Sequence, residues 1–423
     1  MNDKRPNVLL VFTDQQRFDT IRAAGSHFDA QTPSMDFLAR EGVVFDNCYC
    51  TAPVCSPSRA TMMTGLYPSQ AGMPANLYAP CPPMSPTLSV LPHAFRAAGY
   101  ETAYHGKWHL GGDIRHHGFD IAEEVSHDEV ARRAAAVFWD DRDWMRSKRP
   151  FLHVVSFLNP HDHYFYDPEQ VDPSYQRPWK NAGRDPEGMP EAPAGRRANW
   201  DEGRWGAYIR FYEERIEQAD AELGKLLDDF RCAGFFSNTW IIFTADHGDM
   251  TGEHDIPFKG PYMYEGVTHV PLIIVPPVQR ILGDVTRRLP ASGVSPGRRS
   301  QLCSLIDLAP TMLDMAGIEK PDYLPGESLL PVVHDASADA PHEVVFAEWH
   351  NPPLRMARSR DWKYVRYLSG EEELYHLADD PDELHNRAAD HDAADTKDGL
   401  SAALDHHLAT TRDPFELLND QTF

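Results

Sequence analysis

Apolar residues gather along this chain in short, nearly unbroken runs. They are NVLLVFT at 7–13, VVFDNCYC at 43–50, YETAYHG at 100–106, FLHVVSFLNP at 151–160, NTWIIFTADHG at 238–248 and THVPLIIVPP at 268–277. A run of that length with little polar alternation predicts a strand covered on both faces, as in a parallel sheet. Stretches of helical spacing lie between them. SMDFLAREG at 34–42 reads as a helix capped by Ser34 and stopped at Gly42. Residues 89–99, 125–147 and 203–230 read as helices too, and CSLIDLAPTMLDMAG at 303–317 as one kinked by Pro310. Alternating strands and helices predict an α/β fold.

Two segments break this pattern. Residues 163–205 are dense in Pro, Gly and charge, the texture of a long binding or interface loop. They carry His163, Tyr164, Tyr166, Tyr175, Trp179, Arg184, Arg196, Arg197 and Trp200, which either line a sugar or aryl subsite or pack the loop down. Beyond His334 come short β-like pieces, EVVFAEW, LRMARSR, WKYVRYL and EELYHL, joined by polar turns. They predict a small, mostly antiparallel C-terminal subdomain over about 340–423, beside a larger α/β body over 1–339. There is no internal repeat and no glycine-rich nucleotide fingerprint.

Composition narrows the function classes. With 40 Lys and Arg against 64 Asp and Glu, the formal net charge of the 423 residues is −24. That balance argues against nucleic acid or a membrane surface as partner. No apolar run reaches membrane-spanning length, and the first run is too short for a secretory core. Six cysteines (48, 50, 55, 81, 232 and 303) in so long a chain are no disulfide framework, so the expectation is a reducing, cytoplasmic setting.

The candidate chemistry sits just after the apolar runs. Asp14 follows the first, Lys107 and His109 the third, His161 the fourth, and Asp246 and His247 the fifth. Parallel sheets bind ligands beyond the carboxyl ends of their strands, so in one sheet these side chains share one crevice. Asp14, Gln15, Asp246 and His247 suit a divalent cation: Ca²⁺ if oxygens dominate, Mn²⁺ or Mg²⁺ if His247 ligates. Taken singly, each acid reads equally as a helix cap. Spacing leaves CSPSR at 55–59 open, either a buried thiol in a turn or a reactive thiol beside Arg59. The helix that follows would turn its amide end toward an anion.

Together, Cys55-Ser56-Pro57-Ser58-Arg59, GKWHLG at 106–111, His161, TADHGD at 244–249, Lys259 and ELYHLADDPDELHN at 373–386 are more specific. In this order they resemble the type I, formylglycine-dependent sulfatases of the alkaline phosphatase superfamily, over nearly the whole chain. The resemblance implies an α/β/α sandwich with a large, mostly parallel sheet and a metal-dependent sulfuric ester hydrolase. It implies that a formylglycine-generating enzyme oxidises Cys55 to Cα-formylglycine, with Pro57 and Arg59 as recognition elements. Asp14, Gln15, Asp246, His247 and residue 55 then hold one divalent ion, Ca²⁺ before Mn²⁺ or Mg²⁺. Arg59 stabilises the ionised diol, and Lys107 and Lys259 neutralise sulfate oxygens. His109 serves as the base and His161 as the leaving-group acid. His254, Arg17 and His105 are further candidates for the rim or the surroundings of the site.

Two positions depart from many family members, Gln15 in place of an acid and His247 in place of Asn. Both resemble the phosphonate monoester hydrolase and phosphodiesterase branch, and Asp246-His247 resembles the choline-sulfatase-like branch as well. TAPVCSPSR resembles more closely the cytoplasmic sulfatases of small or carbohydrate esters, so the expected substrate is a small, aryl or carbohydrate sulfate ester. The alternatives are a phosphonate monoester or phosphodiester hydrolase, a metal-dependent phosphomutase, or an inactive binding protein. The modifiable CSPSR argues against the phosphomutase, and the retained site residues against the binding protein. The acidic tail and the DWKYVRYL strand leave a homo-oligomer open.

Overall fold

The computed structural model describes residues 5–77, 81–88, 90–140, 149–165, 184, 186–280, 288–290 and 293–415. Tyr166, Tyr175 and Trp179, and the end of the helix expected over 125–147, lie outside them. Eight strands build the main sheet: β1 (Asn7–Asp14), β2 (Val43–Tyr49), β3 (Glu101–Gly106), β4 (Ile121–Glu124), β5 (Phe151–Pro160), β6 (Thr239–Ala245), β7 (Leu272–Val275) and β10 (Gly297–Ser304). Their order is β10-β2-β7-β6-β1-β5-β3-β4. Every pairing is parallel except those of β7, which runs antiparallel to both β2 and β6. A separate antiparallel pair, β8 (Val278–Arg280) and β9 (Arg288–Pro290), follows β7.

β1 shows why the strands read as continuous apolar runs. Val8, Leu10 and Phe12 face a layer built from α2 (Cys55–Thr64), α3 (Val90–Ala97) and α6 (Leu308–Met315), among Met62, Phe95 and Leu313. Leu9 and Val11 face the opposite layer of α1 (Pro33–Glu41), α4 (Asp128–Asp140) and α5 (Glu202–Cys232), among Leu38, Trp139 and Leu223. Both faces are thus buried, at about 1.5–3 kcal/mol for each large apolar side chain, and the result is an α/β/α sandwich. The registers align the strand ends: Thr13 pairs with Ala245, Asp14 with Pro160 and Gly106 with Ser156.

Several expectations need correction. Ser34 is not a cap, because α1 begins at Pro33 with Thr32 in the capping position. Its first amides are satisfied from another helix, as Asp220 of α5 accepts from the N–H groups of Ser34 and Met35 at 2.8–3.1 Å. The helix expected over 303–317 is shorter. Cys303 and Ser304 close the edge strand β10, a three-residue turn follows, and α6 spans only 308–315.

At the C-terminal end, β11 (Val345–His350), β12 (Pro353–Arg358), β13 (Trp362–Tyr367) and β14 (Glu372–His376) form an antiparallel sheet in sequential order. It is covered by a helix not foreseen from the sequence, α7 (Ala394–Thr411), whose Leu400, Leu404 and Leu408 pack with Ala357, Tyr364 and Leu374. A buried charge cluster joins this sheet to the main body. Lys363 of β13 is fully buried, with Nζ 2.7 Å from Glu265 Oε1 and 2.8 Å from Glu383 Oε1. It also donates to the Met263 carbonyl, and the Tyr49 hydroxyl donates to Glu265. Among the described residues, no helix is long and apolar enough to cross a membrane.

Candidate active site

Asp14 ends β1, and Asp246 and His247 directly follow β6, so both acids emerge side by side. Cys55 is the first residue of α2, and Val54 before it is extended and gives no side-chain cap. The positive end of α2 therefore faces the crevice. Lys107 follows β3 through Gly106, whose φ of 116° and contact with the Ser156 carbonyl leave no room for a Cβ. His161 directly follows β5.

These elements bring together Asp14, Cys55, Asp246 and His247, all buried, with one ligand-type atom from each within 4.8 Å of the others. Cys55 Sγ lies 3.6 Å from Asp14 Oδ1, 3.3 Å from His247 Nε2, 3.8 Å from Lys107 Nζ and 2.9 Å from Lys259 Nζ. His109 adds to the groups that lower the thiol's pKa. Burial alone would raise the thiol pKa, but Lys107, Lys259 and His247 outweigh it and hold the group well below its usual range.

Arg59 organises the acids. Its Nη2 meets Asp14 Oδ2 and its Nε meets Asp246 Oδ2, each at 2.8 Å, while Nη1 donates to Ser156 Oγ and the Lys107 carbonyl. The two carboxylates differ. Burial and Cys55 push Asp14 upward, yet Lys107 at 2.5 Å, with His161 and Arg59, brings it far below its usual value. Asp246 has no lysine partner of its own, and burial and Asp14 leave it raised despite His247 and Arg59.

The donors fit a divalent cation. Two buried carboxylates this close need positive charge between or beside them. His247 Nδ1 sits 2.8 Å from the Gly248 carbonyl, which makes it the N–H side and turns the lone pair of Nε2 into the cluster. Gln15 points its Oε1 inward, 2.7 Å from Lys259 Nζ. His161 has a buried Nδ1 without a hydrogen-bond partner among the described residues, and a ring centroid 5.0 Å from that of Tyr164.

Three candidates fall outside the cluster. Arg17 is buried in ion pairs with Asp19 and Glu253. His105 bonds His153 between β3 and β5, inside the core. His254 packs at a tilt against Tyr264, centroids 4.3 Å apart. Sequence reasoning missed the support given by Asp249 and Ser156, because an acid two residues past His247 and a strand serine look like any others.

The family model described as Sulfatase matches residues 6–318. The chain belongs to the sulfatase family. A second model, N-sulphoglucosamine sulphohydrolase, C-terminal, matches 252–410 of the sulfatase chain. The sulfatase YidJ of Escherichia coli, described as uncharacterized, is 31% identical over 97% of this chain and 89% of its own. The Delta 4,5-hexuronate-2-O-sulfatase of Bacteroides thetaiotaomicron is 28% identical over 98% and 91%. Two solved structures share the fold, each at 23% identity. One was solved with its substrate D-glucosamine-2-N,6-O-disulfate (TM-score 0.83, 97% of this chain and 99% of that one). The other is the phosphonate monoester hydrolase of Agrobacterium radiobacter (TM-score 0.75, 97% of each). Family membership and the cation-binding cluster make this sulfatase a metal-dependent hydrolase.

Proposed function

We propose that the protein hydrolyses the sulfate ester of a carbohydrate or other small molecule, with Cys55 converted to Cα-formylglycine, whose hydrate attacks sulfur through one hydroxyl as the ester oxygen leaves and then releases sulfate as the other hydroxyl collapses back to the aldehyde. One observation carries the reading: residue 55 stands at a helix N-terminus in contact with His247, Lys107 and Lys259, beside two carboxylates clamped by Arg59. Hexuronate and N-acetylglucosamine sulfatases among the relatives support a sugar ester. The six cysteines, none of them in a disulfide, fit a reducing compartment such as the cytoplasm.

Asp14, Gln15, Asp246 and His247 would hold the cation together with residue 55. When bound, the cation favours the ionised form of an oxygen nucleophile and draws charge from the sulfate oxygens. Arg59 acts through Asp14 and Asp246, since its fork is committed to them, and keeps both oxygens aimed at one point. Lys107 and Lys259 face the place of the transferred sulfuryl group and stabilise the charge that builds there. His109, beside residue 55, would take the proton of the second diol hydroxyl as sulfate is released, and His161 would protonate the leaving oxygen. A phosphonate ester is the second reading, favoured by the neutral Gln15 beside Asp14.

The test begins with the mass of the tryptic peptide Glu41–Arg59, which should show the Cys55 sulfur replaced by an aldehyde oxygen. Kinetics on matched aryl sulfate, phosphonate and phosphate diester should rank sulfate first. Cys55→Ala should abolish turnover and keep the fold. Turnover surviving in Cys55→Ala, or an active preparation with residue 55 unmodified, overturns the reading.

A further inference from the structure

We propose that Asp249 is a positioning residue that decides which end of the Gln15 amide faces the cation. The inference rests on the reading of Gln15 as a ligand. A glutamine offers an oxygen and an NH₂ of nearly equal size, and only the oxygen can bind a metal. An acid at this position would face no such choice, because both ends of a carboxylate are oxygens.

In this chain two neighbours of opposite character make the choice. Lys259 Nζ, which only donates, meets Oε1 at 2.7 Å, and the Asp249 carboxylate, which only accepts, meets Nε2 at 2.7 Å. Reversing the amide would set N–H groups against an ammonium and a carbonyl against a carboxylate. Asp249 is fixed in turn. It is fully buried, Oδ1 accepts from the Thr251 N–H at 2.7 Å and from the Tyr208 hydroxyl at 3.2 Å, and Oδ2 lies 3.0 Å from His163 Nε2.

The backbone of Gln15 is held as firmly. Its φ is 68°, its N–H donates to Asp246 Oδ1 at 3.0 Å, and its carbonyl accepts from the Tyr212 hydroxyl at 2.7 Å. What remains free is the amide rotation, and Asp249 sets it. The negative charge missing from position 15 stands one side chain further back, where it polarises the amide and strengthens Oε1 as a donor to a cation.

The test is calorimetric titration of metal-free protein with Mn²⁺ and with Ca²⁺, fold checked by circular dichroism, for wild type, D249N, Q15E and Q15E/D249N. An asparagine at 249 can donate as well as accept, so D249N should weaken binding about 10-fold, at the lower end for a residue supporting a ligand. Adding Q15E to D249N should restore wild-type affinity, because either carboxylate end can bind the metal while the other accepts from Asn. Q15E alone should bind no more tightly than wild type, since it sets two carboxylates face to face. This measurement does not depend on the folding of D249N. Folded D249N binding like wild type, or Q15E alone gaining more than about tenfold, overturns the inference. Wild type binding neither ion overturns the site reading itself, and this inference with it.

Discussion

Arg59→Met isolates what holds the acid pair of the site before a cation arrives. The side chain is 1% exposed and makes four hydrogen bonds, two of them to the carboxylates of Asp14 and Asp246. Charge-assisted bonds are worth about 1.5–3 kcal/mol each and neutral ones about 1 kcal/mol. Set against them is the guanidinium's own burial cost of several kcal/mol. The net loss is then dominated by leaving Asp246 buried without its guanidinium and Asp14 with Lys107 alone, about 3–5 kcal/mol. Urea unfolding at pH 7 in excess chelator should show that loss. With Ca²⁺ or Mn²⁺ at saturation the deficit should shrink by at least half, because the ion takes over the neutralising role and binds the variant more tightly. Arg59→Lys keeps a charge but not the fork, and should lose about half as much as methionine. Activity is a poor readout here, because the resemblance also makes Arg59 a recognition element for modification of Cys55. A metal-free loss below about 1 kcal/mol, or a loss unchanged by the ion, would refute the account of Arg59 as a clamp.

Acid sensitivity should arise from the buried pair His105–His153. Burial pushes His105 down to about 4, and burial with His105 holds His153 well below its usual range, so both are neutral in the fold. As pH falls the unfolded chain takes up protons first, near 6.5, so stability present above about 6.5 is lost as pH falls toward 4, by roughly 2–3 kcal/mol for His105. Urea midpoints at pH 7, 5 and 4 should fall less steeply for H105L/H153L than for wild type, and parallel profiles would exclude this source. In the C-terminal sheet, Lys363→Met should cost about 3–5 kcal/mol by leaving Glu265 and Glu383 buried together. K363M/E383Q should recover part of it in the same denaturation assay, and a loss under about 1 kcal/mol would show the cluster to be indifferent.

The strand ends were the most legible part of the chain. Asp14, Lys107, His161 and Asp246 could be placed because each closes an apolar run, and the parallel registers then bring those ends to one edge. The features that escaped depend on tertiary partners. Ser34 looks like a cap, yet the amides of α1 are satisfied by Asp220 from α5, a contact with no local trace. β10 was hidden because GRRSQLCS is polar for much of its length, as suits an edge strand beside β2 alone. α7 carries a narrow row of three leucines amid small and charged residues, too thin a stripe to stand out. The role of Asp249 depends on the amide it touches, and no spacing rule reports that.

The Lys363 cluster changes how the last part of the chain should be regarded. Its cation comes from the small sheet, while Glu265 belongs to the body and Glu383 to the turn after β14, so the ammonium is a rivet driven from one side into acids contributed by both. A flexible tether would let two modules drift, but this seam is closed by buried ion pairs. The terminal sheet therefore serves as a fixed outer wall of the catalytic body, and any loosening of it is felt directly along the 263–265 stretch that leads from Lys259 back to β7.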